Sequence, residues 1–322
     1  MKEFTMPDAQ RFDLLTILGP TASGKTRLAV ELARQLGGEI ISADSRQVFR
    51  GMDIGSGKDL HEYGDVPYHL INILDPGAEF SVFAFQQHFL EAFTSISERE
   101  KLPILCGGTG LYIDAALRGY RMIEAPEDNE LRFRLEKQSD AELAVMLKML
   151  KPDQHNTSDL LDRNRMVRAI EIAEFERGNS DNFEPPLDIS SLVIGIHWDR
   201  PVLKQRITER LRQRLDNGMI QEVERLHDEG VSWERLDYYG LEYRYVGAFL
   251  AGKLNRNDML QKLGSAIHDF SKRQASWFRK MEKNGVVINW INGAADPLAA
   301  AREIIRNKNF VSPPVRVIMF HP

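Results

Sequence analysis

Along its first third the chain alternates short apolar runs with apolar residues at helical spacing. Leu14 to Gly19 is a continuous run of strand length, and Lys25 to Leu36 repeats apolar residues at Leu28, Ala29, Leu32, Ala33 and Leu36, the spacing of one buried helix face. Glu39 to Ala43 predicts a second strand, His69 to Ile73 a third, Val82 to Ile96 a helix, and LPILCGG a further strand capped by glycines. Strands alternating with helices predict a parallel sheet with right-handed crossovers, whose ligands bind outside the carboxyl ends of the strands. Past about residue 120 the pattern turns helical, with Pro126 and Asp128 marking a helix start. SLVIGIHW, short and β-branched, predicts a strand returning to the sheet, and GNSDNFEPPLDIS before it reads as a loop or linker. From Val202 to about Lys283 the pattern is helical again, broken near Gly230 and at DYYG.

Composition narrows the class. With 322 residues, 43% hydrophobic and 28% charged, the chain can bury one large core or two smaller ones. The polar opening MKEFTMPDAQRFD lacks the apolar centre of a signal peptide, and no apolar run approaches the roughly 18 residues of a membrane span, so the expected location is cytoplasmic, with no membrane partner. A single cysteine, Cys106, excludes an internal disulfide and a cysteine-based zinc module. The net charge of -5 excludes only a globally basic nucleic-acid binder, since attraction to phosphate depends on where Lys and Arg cluster.

Gly19 to Thr26 matches GxxxxGK[ST] between a predicted strand and a predicted helix, the context a phosphate loop needs. Backbone N–H groups and the positive helix end face a polyphosphate, Lys25 reaches its outer oxygens, and the Thr26 hydroxyl can hold Mg²⁺. The expected fold class is therefore α/β: a P-loop NTPase-like parallel sheet flanked by helices, with an inserted mainly helical domain. Its expected boundaries are 1–120 for the first part of the core, 121–188 for the insertion, and 189–322 for the rest of the core and the C-terminal helices. Asp44, in IISADSRQ, ends the second strand beside this loop, as a turn or cap residue or as a general base or ligand for a donor group. PILCGG ends without the Asp that motor NTPases use to hold Mg²⁺, which weakens an ATPase reading. Thr109 opens the helix after a second glycine turn, as a cap or as a site residue. Arg165 and Arg168 lie three apart on one helix, and Arg206, Arg210 and Arg214 follow i,i+4 spacing on another, an edge suited to phosphate. FSKRQASWFRKMEK interleaves cations with aromatics, a pattern shared by nucleic-acid-gripping helices and by core aromatics beside exposed cations.

Taken in order, GPTASGKT, IISADSRQVFRGMDIGSGK, LINILDP, PILCGGTGLY, RNRMVRAIEI, RITERLRQRLDNGMIQEVERL and KRQASWFR resemble the tRNA dimethylallyltransferase family over most of residues 14 to 290. The resemblance implies transfer of a dimethylallyl group from dimethylallyl diphosphate to the exocyclic amine of the adenine 3′ of a tRNA anticodon. By the same resemblance Thr21, Ala22, Ser23, Gly24, Lys25 and Thr26 cradle the diphosphate with Arg210 as a second cation, Asp44 is the general base, and Thr109 lines the reaction channel. Contacts to the tRNA anticodon stem-loop are implied for Asp44, Ser45, Arg46 and Gln47, for Asn164, Arg165, Met166, Val167 and Arg168, and for Lys272, Arg273, Gln274, Trp277 and Arg279. Mg²⁺ at Thr26 and a monomer are expected. Two places depart from the family pattern: DYYGLEYRYVGAF replaces a GYKE-like stretch around Gly240, and Arg46 replaces a small or apolar residue. The competing readings are an adenylate isopentenyltransferase acting on free nucleotide, a small-molecule P-loop kinase, and a nucleotide-switched binding protein.

Overall fold

The computed structural model of the chain describes residues 12–119, 125–152, 160, 162–178 and 189–308. The N-terminal opening up to residue 11 and residues 179–188 of the expected linker lie outside the described residues. Two compact units emerge: Met1–Arg118 together with Asp188–Pro322, and Gly119–Leu187.

In the larger unit the chain runs β1 (Leu14–Leu18), α1 (Lys25–Leu36), β2 (Gly38–Ala43), β3 (Tyr68–His69), α2 (Val82–Glu98), β4 (Leu102–Gly107) and α3 (Gly110–Arg118). The smaller unit contributes α4 (Asn129–Glu136), α5 (Asp140–Leu150) and α6 (Arg163–Gly178). The larger unit then resumes with β5 (Ser191–His197), α7 (Arg200–Asp216), α8 (Met219–Asp228), α9 (Trp233–Tyr238), α10 (Leu241–Leu250), α11 (Arg256–Lys283), β6 (Ile288–Asn292) and α12 (Pro297–Asn307).

The described strands form one six-stranded sheet in the order β3-β2-β4-β1-β5-β6, every pair parallel. β1, β2 and β4 are buried throughout, which is why they read as unbroken apolar runs rather than alternating ones. Leu15, Ile17, Ile40, Ile104 and Ile194 meet Leu28 and Leu32 of α1 and Ile305 of α12 in the main core. The smaller unit has its own core of Leu131, Leu135, Leu143, Leu147, Met166 and Ile170, and α5 opens with a capping box between Ser139 and Glu142.

The expected strand from His69 to Ile73 is corrected: β3 stops at His69 because Leu70 and Asn72 take left-handed backbone angles, φ 63° and 58°. β4 also lies between β1 and β2, so the end of β2 is separated from the phosphate loop by the second glycine turn rather than lying directly beside it.

After β2, residues 52–58 are gripped from the C-terminal helices. Glu222 of α8 accepts from the backbone N–H groups of Asp53 (2.8 Å), Ile54 (2.7 Å) and Gly55 (2.9 Å), and from the Tyr243 hydroxyl (2.8 Å), which itself accepts from the Ser56 N–H (3.1 Å). Lys58 is fully buried and donates to Phe49 O (2.6 Å), Asp53 Oδ1 (2.6 Å) and Asn72 Oδ1 (2.5 Å). Removing the Glu222 carboxylate strands these donors. Glu222→Ala is expected to lower unfolding stability by about 2–4 kcal/mol, read from the denaturant midpoint; an unchanged midpoint contradicts this anchoring role.

Candidate active site

The loop after β1 is shaped by two left-handed residues, Ala22 (φ 61°) and Gly24 (φ 88°), ahead of α1. The carbonyls point outward and are met there: Trp198 Nε1 donates to Ser23 O (3.0 Å), and Arg206 Nε donates to Ala22 O (3.0 Å) while its guanidinium lies 4.1 Å over the Trp198 ring. On the other flank Gln274 of α11 takes the Thr21 N–H on Oε1 (2.8 Å) and donates from Nε2 to Gly108 O (2.9 Å). One buried amide thus ties the phosphate loop to the second glycine turn. The helix can come this close because Gly108 and Gly110 lack side chains: a Cβ would stand 2.4 Å from Gln274 Nε2 and 2.2 Å from Trp277 Cδ1 respectively.

Lys25 Nζ donates to Pro20 O (3.5 Å), and desolvation holds its pKa below the usual lysine value, opposed by the charge of Asp44 and, more weakly, that of Asp59. Arg210 reaches Thr21 Oγ1 (3.5 Å) and Gly57 O (3.4 Å) and pairs with Asp59. Arg214, one turn further along α7, is buried against Gly55 O (3.4 Å) and Glu242 (3.2 Å); burial lowers its pKa and raises that of Glu242. The i,i+4 arginines therefore divide their work: Arg206 braces the outside of the loop, Arg210 faces the anion side, and Arg214 is enclosed behind it.

At the end of β2, Asp44 is half-buried, and among the described residues its one hydrogen bond is from the Arg46 N–H to Oδ1 (3.0 Å). Thr109 turns its hydroxyl to the end of β2. Its Oγ1 accepts from the Ser45 N–H (3.2 Å), and its N–H donates to Ala43 O (3.2 Å), so the ends of β2 and β4 are locked together beneath Asp44. Arg46 lies 5.2 Å from the centre of the Tyr238 ring, and a Cβ on Gly240 would stand 3.7 Å from its Nε. The two departures from the family pattern are thus in contact.

Several residues expected to touch tRNA are used by the protein itself. Gln274 is 6% exposed and both ends of its amide are engaged, as above. Gln47 is buried, accepting from Ser42 Oγ (2.8 Å) and donating to Gly57 O (3.2 Å). Met166 is buried in the core of the smaller unit with Val167 packed on it, because both lie on the inward face of α6. Arg168 donates to Glu171 (3.0 Å) and Ala125 O (2.7 Å). Asn164 and Arg165 are exposed on the smaller unit. On α11 Lys272, Arg273 and Arg279 are exposed, with Arg273 5.8 Å from the Phe270 ring centre. Trp277 is half-buried, and the described protein offers its indole N–H no acceptor.

Sequence reasoning assigned no role to Asp59, Trp198, Glu222 or the Arg214–Glu242 pair. Arg214 had a signal in its i,i+4 spacing, and Asp59 follows the quoted GSGK; the partners of the other two are set only by folding. Among the described residues no three His, Cys, Asp or Glu side chains converge as a metal cage. The Thr26 hydroxyl stands half-buried at the start of α1.

The IPP transferase family pattern matches residues 47–281, and the isopentenyl transferase pattern matches residues 12–63. A tRNA dimethylallyltransferase 2 from Trichlorobacter lovleyi is 66% identical over 300 residues, covering 93% of this chain and 98% of that protein. One of the same description from Pelobacter propionicus is 64% identical over 303 residues, covering 94% and 97%. A crystal structure of the full-length tRNA isopentenylpyrophosphate transferase from Bacillus halodurans superposes with a TM-score of 0.66 at 32% identity, covering 92% of this chain and 94% of that one.

Gln274→Leu keeps the bulk and removes both amide contacts, leaving the Thr21 N–H and the Gly108 carbonyl unmatched. It is expected to lower stability by about 1–3 kcal/mol and to weaken pyrophosphate binding. Loss of tRNA affinity with an unchanged melting transition would instead make Gln274 an RNA contact.

Proposed function

The chain belongs to the IPP transferase family, and from that premise we propose that it moves a dimethylallyl group from dimethylallyl diphosphate to the exocyclic amine of the adenine 3′ of the anticodon in tRNA. The observation that carries this reading is the Gln274 bridge. It holds a loop suited to diphosphate against the turn that locks the end of β2, where Asp44 has a carboxylate oxygen to spare.

In the proposed reaction the amine nitrogen forms a bond to the first carbon of the dimethylallyl group as the bond from that carbon to the diphosphate oxygen breaks. The electron pair leaves with the diphosphate, and the amine proton passes to Asp44. An exocyclic adenine amine is a poor nucleophile and gains from a base. The departing diphosphate gains from fixed N–H donors and from Lys25 and Arg210, whose orientation precedes the charge they stabilise. Mg²⁺ held with Thr26 would supply further charge neutralisation on the diphosphate. An adenine in a structured loop reaches Asp44 only when turned out of its stack, so the exposed Lys272, Arg273 and Arg279 are proposed to grip backbone phosphates while a ring or guanidinium plane replaces the lost stacking. We place the reaction in the cytoplasm, carried out by a monomer; among the described residues no helix is long and apolar enough to cross a membrane.

Offered dimethylallyl diphosphate with tRNA, the same donor with AMP, or ATP alone, the protein is expected to turn over only the first. Prenylated AMP would point to a free-nucleotide enzyme, and ATP consumption to a kinase. Asp44→Asn keeps the shape and removes the basicity, so the single-turnover rate should fall by about 10² to 10⁴ while donor affinity changes little. A parental rate in that variant moves the base elsewhere.

A further inference from the structure

Asp59 is a carboxylate set among the cations of an anion site. It pairs with Arg210, the residue that also reaches Thr21 on the phosphate loop, and its charge acts on the Lys25 ammonium. Asp59 stands at the head of a single 3-10 turn, Leu60–Glu62, yet its side chain makes no capping bond to that turn and is directed to Arg210 instead. Its backbone is left-handed, φ 48° and ψ 45°, the region that favours glycine. The preceding residue, Lys58, is fixed in place by its three buried acceptors. The carboxylate is therefore mounted on a rigid, strained stretch rather than swinging from a loose loop.

Arg binds phosphate best when two neighbouring N–H groups on one edge of the guanidinium engage together. In Arg210 the Nη2 end is shared between Asp59 and Gly57 O, and Nη1 leans toward Thr21. A full two-donor grip on a diphosphate therefore draws on the same Nη2 that Asp59 and Gly57 O hold. The nearby Glu62 carboxyl, half-buried and with its pKa raised by desolvation and by the Asp59 charge, adds to the acidity of this wall.

We propose that Asp59 competes with bound diphosphate for Arg210, so that this residue weakens the hold on the diphosphate product and limits product inhibition. Asp59 is on this view a positioning residue acting through Arg210, and the proposal rests on the diphosphate reading of the loop. With both cations committed to the diphosphate alone, a triply charged product would be held too firmly to leave quickly. A carboxylate that takes back one of them gives dissociation a partner for the cation left behind.

The test is titration with inorganic pyrophosphate, by calorimetry, of the parent and of two variants. Asp59→Asn removes the charge and keeps the shape; Asp59→Gly removes the carboxylate at a backbone conformation that glycine adopts freely, so a folding defect does not mask the result. Both are expected to bind pyrophosphate about tenfold more tightly than the parent, the scale of one partly exposed charge pair together with one like-charge contact. Pyrophosphate should also inhibit steady-state transfer about tenfold more strongly in both. In an Arg210→Ala background the gain should vanish. Unchanged or weaker binding in both variants overturns the proposal, as does a gain that persists without Arg210. Failure of the diphosphate reading itself is separate and visible: the parent would then bind no pyrophosphate, or bind it with no dependence on Lys25→Ala.

Discussion

A loop that binds phosphate through backbone N–H groups must turn its carbonyls the other way, and each carbonyl so turned needs a donor. Two of the loop's carbonyls, those of Ala22 and Ser23, are met in this way. The donors come from far along the chain: Trp198 just past β5, Arg206 on α7, and on the opposite flank Gln274 on α11, which instead accepts from the loop. None of these could serve if the chain ended its sheet at β4. The return of the chain through β5 beside β1, after the smaller unit, carries Trp198 to the loop and starts α7 within reach of it. The phosphate loop is thus encoded by eight consecutive residues and held in shape by residues roughly 170 to 250 positions later.

The same arrangement encloses charge. Lys25, Arg210 and Arg214 lie with Asp44, Asp59 and Glu242 in a region where burial drives Lys25 and Arg214 toward lower pKa and Glu242 toward higher pKa. Each shift favours the neutral form. The proximity of the opposite sign opposes these shifts: Asp44 and Asp59 act on Lys25, and Arg214 and Arg210 act on Glu242. Such a set is costly to assemble from water, and removing one member leaves its partner buried without compensation. The benefit is orientation, since dipoles and charges fixed in the folded protein need not reorganise when a leaving group develops charge.

How far this was legible from the sequence depends on what each residue answers to. β1, β2, β4 and β5 could be read because a parallel strand buried on both faces is a plain apolar run, and α1 because one face repeats. The loop between β1 and α1 was legible as a motif. β3 was overextended because left-handed angles at Leu70 and Asn72 leave no mark in apolar spacing. β6 was missed: Asn289 and Trp290 interrupt its apolar positions, and its pairing with β5 is a property of the sheet. Within the site, Lys25, Asp44 and Thr109 come to neighbouring strand ends, whereas the burial of Gln47 and Gln274 could not be read from amide side chains that look equally suited to a surface.

Gln274 also explains why a motif carried over whole mixes two kinds of work. In KRQASWFR the helical repeat sends Gln274 and Phe278 inward, while Lys272, Arg273 and Arg279 stay in solvent. The inward residues fix α11 to the phosphate loop and to the turn at Gly108; the outward ones carry positive charge on a chain whose net charge is -5. Because α11 is one helix of 28 residues, its two faces cannot move independently over so short a span. Any RNA backbone held by the outer face is therefore held relative to the loop that Gln274 engages. On the proposed reading, reaching an adenine amine and a diphosphate carbon with the same rigid element removes a relative motion that would otherwise have to be frozen at each turnover.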